Sequence, residues 1–224
     1  MHYHPLPLAS PPPIAVLFDL DGTLVDTVPF ILEAVRDAFA GYGTCPTDAE
    51  WIAGIGTPLR VQLASFARRP ADVEELFQRY RTYWLAHHDE RTRAFPGAVE
   101  VVAALSAAAH PIGVVTAKIE QGAYRTLRHT GLLGYVQAVV GADSCANSKP
   151  HPEPVLLALS RLGSAPGEAV LVGDSPHDIA AAKAAGARAA AALWGACAKP
   201  VLAAAGADFF LEHVRDLPAL VASL

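Results

Sequence analysis

The chain has little cysteine, little charge and no dense run of one sign, and each shortage removes a class of protein. Three cysteines, Cys45, Cys145 and Cys197, occur in 224 residues. They are odd in number and far apart. That excludes a zinc spacing, a C-x-x-C redox pair and a disulfide framework, and it makes a reduced, cytoplasmic setting the expectation. Charged residues are 17% of the chain, and seventeen basic against twenty-two acidic side chains leave a net charge of −5. With no Lys/Arg cluster, neither nucleic acid nor an anionic membrane is an expected partner. No apolar stretch reaches spanning length without a Gly, Pro or charge. Residues 1–13 lack a basic leader and are broken by prolines, so they read as a partly extended arm and not as a signal peptide.

What the chain does have is apolar side chain, 52% of its residues, with a mean hydropathy of +0.28 that owes much to alanine. This is enough for a sizeable core, either as one large domain or as a core with an insertion. The run Ile14–Phe18 reads as a buried strand. It opens into Asp19-Leu20-Asp21-Gly22-Thr23, where two carboxylates one residue apart repel each other unless a cation, a shared proton or strong hydrogen bonds relieve them.

From about Val28 to Arg93 the pattern is helical, with almost no β-rich runs. Phe30, Ile31, Ala34, Val35, Ala38 and Phe39 recur at helical spacing. Thr47-Asp48-Ala49-Glu50 has capping-box form. Thr57-Pro58 is expected to cap and begin a third helix. A fourth starts at Asp72 and carries Leu76, Phe77, Tyr80, Tyr83 and Trp84 on an apolar side read as bundle core. His87-His88 is expected on the exposed side of that helix.

After Phe95-Pro96-Gly97, helices and strands alternate. Helices are expected at 98–108, 119–130, 153–162, 179–185 and 214–221, and strands at 111–116, 136–140, 169–172, 187–193 and 208–211. This alternation predicts an α/β fold, a doubly wound parallel sheet with right-handed crossovers. The division expected is an arm at 1–13, an α/β core at 14–26 and 94–224, and a small inserted helical-bundle cap at 27–93.

In a parallel sheet the carboxyl ends of the strands lie along one edge. Four loops at that edge carry polar residues: Asp19 and Asp21, Thr116, Lys149, and Gly173-Asp174-Ser175-Pro176-His177-Asp178. Carboxylates from two loops suit Mg²⁺, which takes oxygen ligands, waters and phosphate oxygens. Lys149 offers a point charge to an anion and Thr116 a hydroxyl, a set fitted to phosphoryl transfer. The alternative readings are local: Asp19 and Asp21 in a strand-end turn, Asp174 or Asp178 capping the following helix. His151 and His177 are expected to be solvated loop residues. Lys118 reads equally as a substrate contact or an exposed lysine.

With these motifs in this order, the chain resembles a haloacid-dehalogenase-superfamily phosphatase with a helical cap inserted after the first motif, and is most similar to phosphoglycolate phosphatases. The resemblance rests on Asp19-Leu20-Asp21-Gly22-Thr23-Leu24-Val25-Asp26, Phe95-Pro96-Gly97, Val114-Val115-Thr116, Lys149-Pro150 with Pro152-Glu153, and Val172-Gly173-Asp174-Ser175 with Asp178. It implies that Asp19 is the nucleophile and forms an aspartyl-phosphate, and that Asp21 is the general acid and base, its carbonyl also ligating Mg²⁺. It implies that Asp19 and Asp174 are carboxylate ligands of that metal, with Asp178 supporting the shell around it. Thr116, the N–H of Ala117 and Lys149 would hold the phosphoryl group.

Asp21 argues against dehalogenation, because a halide leaves without protonation. Asp178, together with Gly173 where related mutases usually carry an acid, favours a phosphatase over a β-phosphoglucomutase-like mutase. Ala117 stands where phosphoglycolate phosphatases commonly have Asn, so the Asn side-chain contact is missing. Phosphoglycolate is the first expected substrate, then pyrophosphate or a sugar or nucleotide monophosphate. A non-catalytic binding module would predict a broken motif, and none is broken. Gly54-Ile55-Gly56-Thr57-Pro58 reads either as a plain turn or as a specificity loop, in which Gly56 and Thr57 meet the substrate. A monomer and a homodimer are both compatible with the sequence.

Overall fold

The computed structural model describes residues 13–224. The expected N-terminal arm, apart from Pro13, and with it His2 and His4, lies outside the described residues. Six strands form one parallel sheet: β1 (Ala15–Phe18), β2 (Ile112–Val115), β3 (Ala138–Val140), β4 (Ala169–Gly173), β5 (Arg188–Ala192) and β6 (Phe209–Leu211), in the order β3-β2-β1-β4-β5-β6. β1 lies at the centre, with Leu17 opposite Gly113 of β2 and opposite Leu171 of β4. The strand order reverses direction at β1, so the two crossovers leave a crevice at its carboxyl end, where open α/β sheets bind ligands.

The strands read as near-continuous apolar runs because both faces are covered. One face carries Val16, Phe18, Val114, Val139 and Val172 against α5 (Ala98–Ala107), α6 (Glu120–His129) and α10 (Leu217–Ala222). The other carries Ala15, Leu17, Val115 and Leu171 against α7 (Glu153–Leu162), α8 (Pro176–Ala185) and α9 (Lys199–Ala204). Between β1 and α5 the chain makes α1 (Val28–Ala38), α2 (Asp48–Ala53), α3 (Leu59–Phe66) and α4 (Asp72–Arg91). These four have a core of their own, built on Phe30, Val35, Trp51, Leu63, Leu76, Tyr80 and Trp84. The two connections to this insertion run side by side. Asp26 N–H donates to the Arg93 carbonyl at 2.9 Å, and Phe95 N–H to the Leu24 carbonyl at 3.0 Å.

The expected Thr47–Glu50 capping box forms at the start of α2. Four local expectations change. Pro58, not Thr57, is the cap residue of α3. The Thr57 hydroxyl is already committed to the Gly54 carbonyl at 2.6 Å, closing the preceding turn. α8 begins at Pro176 and not at 179, because Ser175 and Asp178 make a capping box around a proline that needs no N–H partner. α9 was not expected at all; its six alanine- and proline-rich residues carry almost no periodicity.

The last change concerns His88, which is fully buried and not exposed. α4 runs for 20 residues and lays this ring against α6. There Nε2 meets Thr126 Oγ1 at 2.9 Å and Nδ1 meets Asp89 Oδ1 at 2.5 Å. Arg125, also on α6, pairs with the same Asp89 oxygen at 3.1 Å, and the His129 ring lies edge-on to His88. Burial is the largest influence on His88 and lowers its pKa from 6.5, while the Asp89 hydrogen bond opposes the fall and Lys118 and Arg125 add to it. The unfolded chain then binds this proton more readily than the folded one, so stability is full above pH 6.5 and is lost as pH falls below it. Thermal melts of His88→Gln are expected to decline less steeply between pH 7.5 and 5.5 than those of the wild type.

Candidate active site

The loop after β1 is a tight turn in which Thr23, Leu24 and Val25 N–H groups all point at the Leu20 carbonyl. Gly22 sits at φ +83°, and a Cβ there would stand 2.3 Å from Asp174 Oδ2. This close approach lets the β1 and β4 loops touch. Thr23 donates its hydroxyl to Asp174 Oδ1 at 2.9 Å, and Ala196 N–H donates to Asp174 Oδ2 at 2.8 Å. Trp194, from the β5 loop, donates its indole N–H to the Thr23 carbonyl at 2.9 Å. Trp194 and Ala196 were not foreseen; extending the strand-end rule to β5 would have found them.

Lys149 reaches the same place from the loop after β3, and the peptide bond that follows it, to Pro150, is cis. Its Nζ lies 3.0 Å from Asp19 Oδ1 and 2.5 Å from Asp178 Oδ1, and donates to the Val115 carbonyl at 2.8 Å. Asp178 Oδ2 takes the Ser175 N–H and hydroxyl. Asp178 therefore caps α8 and grips Lys149 at once. Gly173 is bound into this arrangement, since a Cβ would stand 2.3 Å from the Asp178 Cβ. Asp178 and a side chain at 173 exclude one another. Gly173→Ala is expected to cost about 1–3 kcal/mol in urea denaturation, the usual overpacking penalty, together with a fall in kcat.

Asp19, Asp174 and Asp178 are all buried, with carboxylate oxygens within 4.8 Å of one another. Burial raises the Asp19 pKa well above the carboxylate range, with Lys149 opposing and Asp178 and Asp174 adding to it. Asp174 is pushed up to about 7, by burial first and then by the Asp178 charge. Burial alone would lower the pKa of Lys149, but Asp178 and Asp19 together outweigh it and hold the ammonium charged. Three buried carboxylates share one buried cation. This excess of negative charge, offered as oxygen donors, fits a divalent metal. Asp178 is paired with Lys149 on one oxygen and accepts two hydrogen bonds from Ser175 on the other. Asp174 accepts only one neutral hydrogen bond on each oxygen and Asp19 meets Lys149 through Oδ1, so these two carboxylates keep more lone pairs with which to hold it.

Asp21 turns away from this cluster. Its Oδ1 accepts the Thr27 hydroxyl at 2.6 Å and Lys118 Nζ at 2.8 Å. Lys118 is thus a site residue; its ammonium also lies 5.2 Å from the Trp84 ring centre. Thr116 is buried, with its Oγ1 accepting Lys118 N–H at 3.2 Å and its own hydroxyl hydrogen still to give. Asp19, Asp21, Thr116, Ala117 and Lys118 share a cavity of about 870 Å³ with Gly56 and Thr57 of the insertion. The Gly54–Pro58 loop is therefore part of the site wall, and Gly56 packs against Ser175 and His177. His177 is half-buried in α8, contrary to the solvated reading, whereas His151 is exposed. Tyr80 and Trp84 belong to the core of the insertion and also line the cavity.

A family profile described as haloacid dehalogenase-like hydrolase matches residues 16–192. Pyrophosphatase PpaX of Bacillus pumilus is 36% identical over 206 residues, covering 92% of this chain and 95% of that one. A haloacid dehalogenase-like family hydrolase of Streptococcus pneumoniae superposes with a TM-score of 0.80 at 26% identity, over 92% of this chain and 97% of that one. A Pseudomonas syringae hydrolase shares the fold at a TM-score of 0.85 and 24% identity, over 94% and 99% of the two chains. Matched over most of its length by profile, sequence and fold, and carrying the carboxylate and lysine cluster where its sheet places chemistry, the chain belongs to the haloacid dehalogenase-like hydrolases.

Proposed function

We propose that this hydrolase is a Mg²⁺-dependent phosphatase that cleaves phosphomonoesters through a phosphorylated Asp19. The observation that carries the reading is the buried cluster of three carboxylates around one lysine, open to the cavity through Asp19. Bound Mg²⁺ would supply positive charge to the phosphoryl oxygens and keep Asp19 and Asp174 ionised. Lys149 fixes one Asp19 oxygen, leaving the other to attack phosphorus in line with the departing alkoxide. Thr116 and the N–H of Ala117 hold phosphoryl oxygens at the floor. Asp21 gives its proton to the departing oxygen, then takes one from the water that cleaves the acyl-phosphate. For this it must exchange its contacts with Thr27 and Lys118 for the substrate. Closure of the helical insertion over the cavity excludes bulk water while it does so.

Phosphoglycolate, from the resemblance, and pyrophosphate, from the name of the Bacillus pumilus relative, are the first small substrates to assay. Phosphate release is measured with Mg²⁺ and with EDTA, for the wild type and Asp19→Asn. The proposal expects hydrolysis that needs both the metal and Asp19, and hydrolysis surviving either loss sinks it.

A further inference from the structure

Resting on the phosphatase reading, we propose that the preferred substrate is an organic phosphomonoester with a bulky apolar leaving group, an aryl or longer alkyl alcohol. The cavity measures about 870 Å³, near the top of the roughly 300–1,000 Å³ range that holds drug-sized ligands. A two-carbon acid or a second phosphate would fill a small part of it. The groups that could hold a phosphate, Thr116, the N–H of Ala117 and Lys118 among them, gather at the floor. The wall above carries Trp51, Ile55, Phe77 and Trp84, interspersed with Arg60, Arg81, Arg125 and Arg128. Two of the wall's cations are already engaged. Arg60 lies over the Phe77 ring and pairs with Glu74, and Arg125 pairs with Asp89.

The rim carries the same message. Six large apolar side chains stand exposed among the described residues, and three of them, Leu85 (44%), Ile119 (45%) and Tyr124 (39%), line this cavity. Single exposed apolar side chains need no explanation, but a group of them around one mouth marks a place where apolar surface is to be covered. The ester body lies along Trp84 and Phe77 with its outer end between α4 and α6, while its phosphate reaches Asp19. A small dianion would leave that wall wet and gain nothing from it.

The test compares kcat/KM of the full chain with Mg²⁺ for 1-naphthyl phosphate and hexyl phosphate against 2-phosphoglycolate and pyrophosphate. The bulky esters are expected to lead by on the order of 10- to 100-fold, the discrimination an apolar pocket gives. Leu85→Asp and Tyr124→Ser change exposed positions, so both are expected to fold. Each is expected to reduce the ratio of naphthyl phosphate to phosphoglycolate about tenfold, mainly through KM. Asp19-dependent hydrolysis that is fastest on phosphoglycolate or pyrophosphate would overturn the leaving-group proposal and leave the phosphatase standing; that result would give the exposed Arg81 and Arg128 of the same cavity to the substrate's second anion. An unchanged ratio in both rim variants would also overturn it. Absence of any hydrolysis, or hydrolysis indifferent to Asp19→Asn, would overturn the phosphatase reading itself.

Discussion

Asp19→Asn is expected to fold with the wild-type circular dichroism spectrum and to hydrolyse phosphomonoesters on the order of 10⁴-fold more slowly or worse. The substitution keeps the shape of a buried side chain that touches Lys149 at 3.0 Å, but removes the charged oxygen proposed to attack phosphorus. It also removes one of three mutually repelling carboxylates. Stability should therefore hold or rise while activity collapses, a combination that a merely structural role would not produce. The same assay in EDTA should approach the Asp19→Asn rate in the unmutated enzyme. Burial raises the Asp19 pKa, and without added positive charge a larger fraction of the proposed nucleophile is protonated at neutral pH.

Lys149→Met is expected to lose both activity and stability. Among the described residues the ammonium is the one buried cation facing Asp19 and Asp178, at 3.0 and 2.5 Å. Deleting one partner of a buried charge cluster costs about 3–5 kcal/mol, because the remaining charges stay desolvated and uncompensated. The pH dependence has a definite sign. Burial already raises the Asp19 pKa and Lys149 opposes the rise, so without Lys149 the folded pKa of Asp19 lies further above the unfolded one. Stability is then full below the unfolded carboxylate pKa and is lost as pH rises through the folded value. Urea midpoints of the variant should therefore fall progressively behind those of the wild type from acid to neutral pH. A double variant, Lys149→Met with Asp178→Asn, should regain part of the lost stability without regaining activity.

The sheet was readable from sequence because its strands are short apolar runs separated by helices, and a parallel strand buried on both faces leaves that trace. Ser175 and Pro176 show where local reading falls short. Both are good helix-start residues, yet their position next to Asp174 drew them into a loop. Lys118 and His88 show a different limit. Each lies on a helix or helix-start whose other face is polar, and nothing in the local pattern says which distant element covers it. For Lys118 that element is the β1 loop and Trp84; for His88 it is α6.

The sequence by itself determined the sheet and which polar residues stand at its strand ends. Strand burial, carboxylate repulsion and turn residues are local or short-range properties, and they are written in consecutive residues. Only the tertiary structure decided that Asp178 both caps α8 and grips Lys149, that Asp21 faces Lys118 and not the carboxylate cluster, and that the cavity wall carries aromatic side chains. Those outcomes depend on side chains brought together from positions 19 to 178 by parallel crossovers, and the balance of burial and charge among them exists only once the sheet has closed around them.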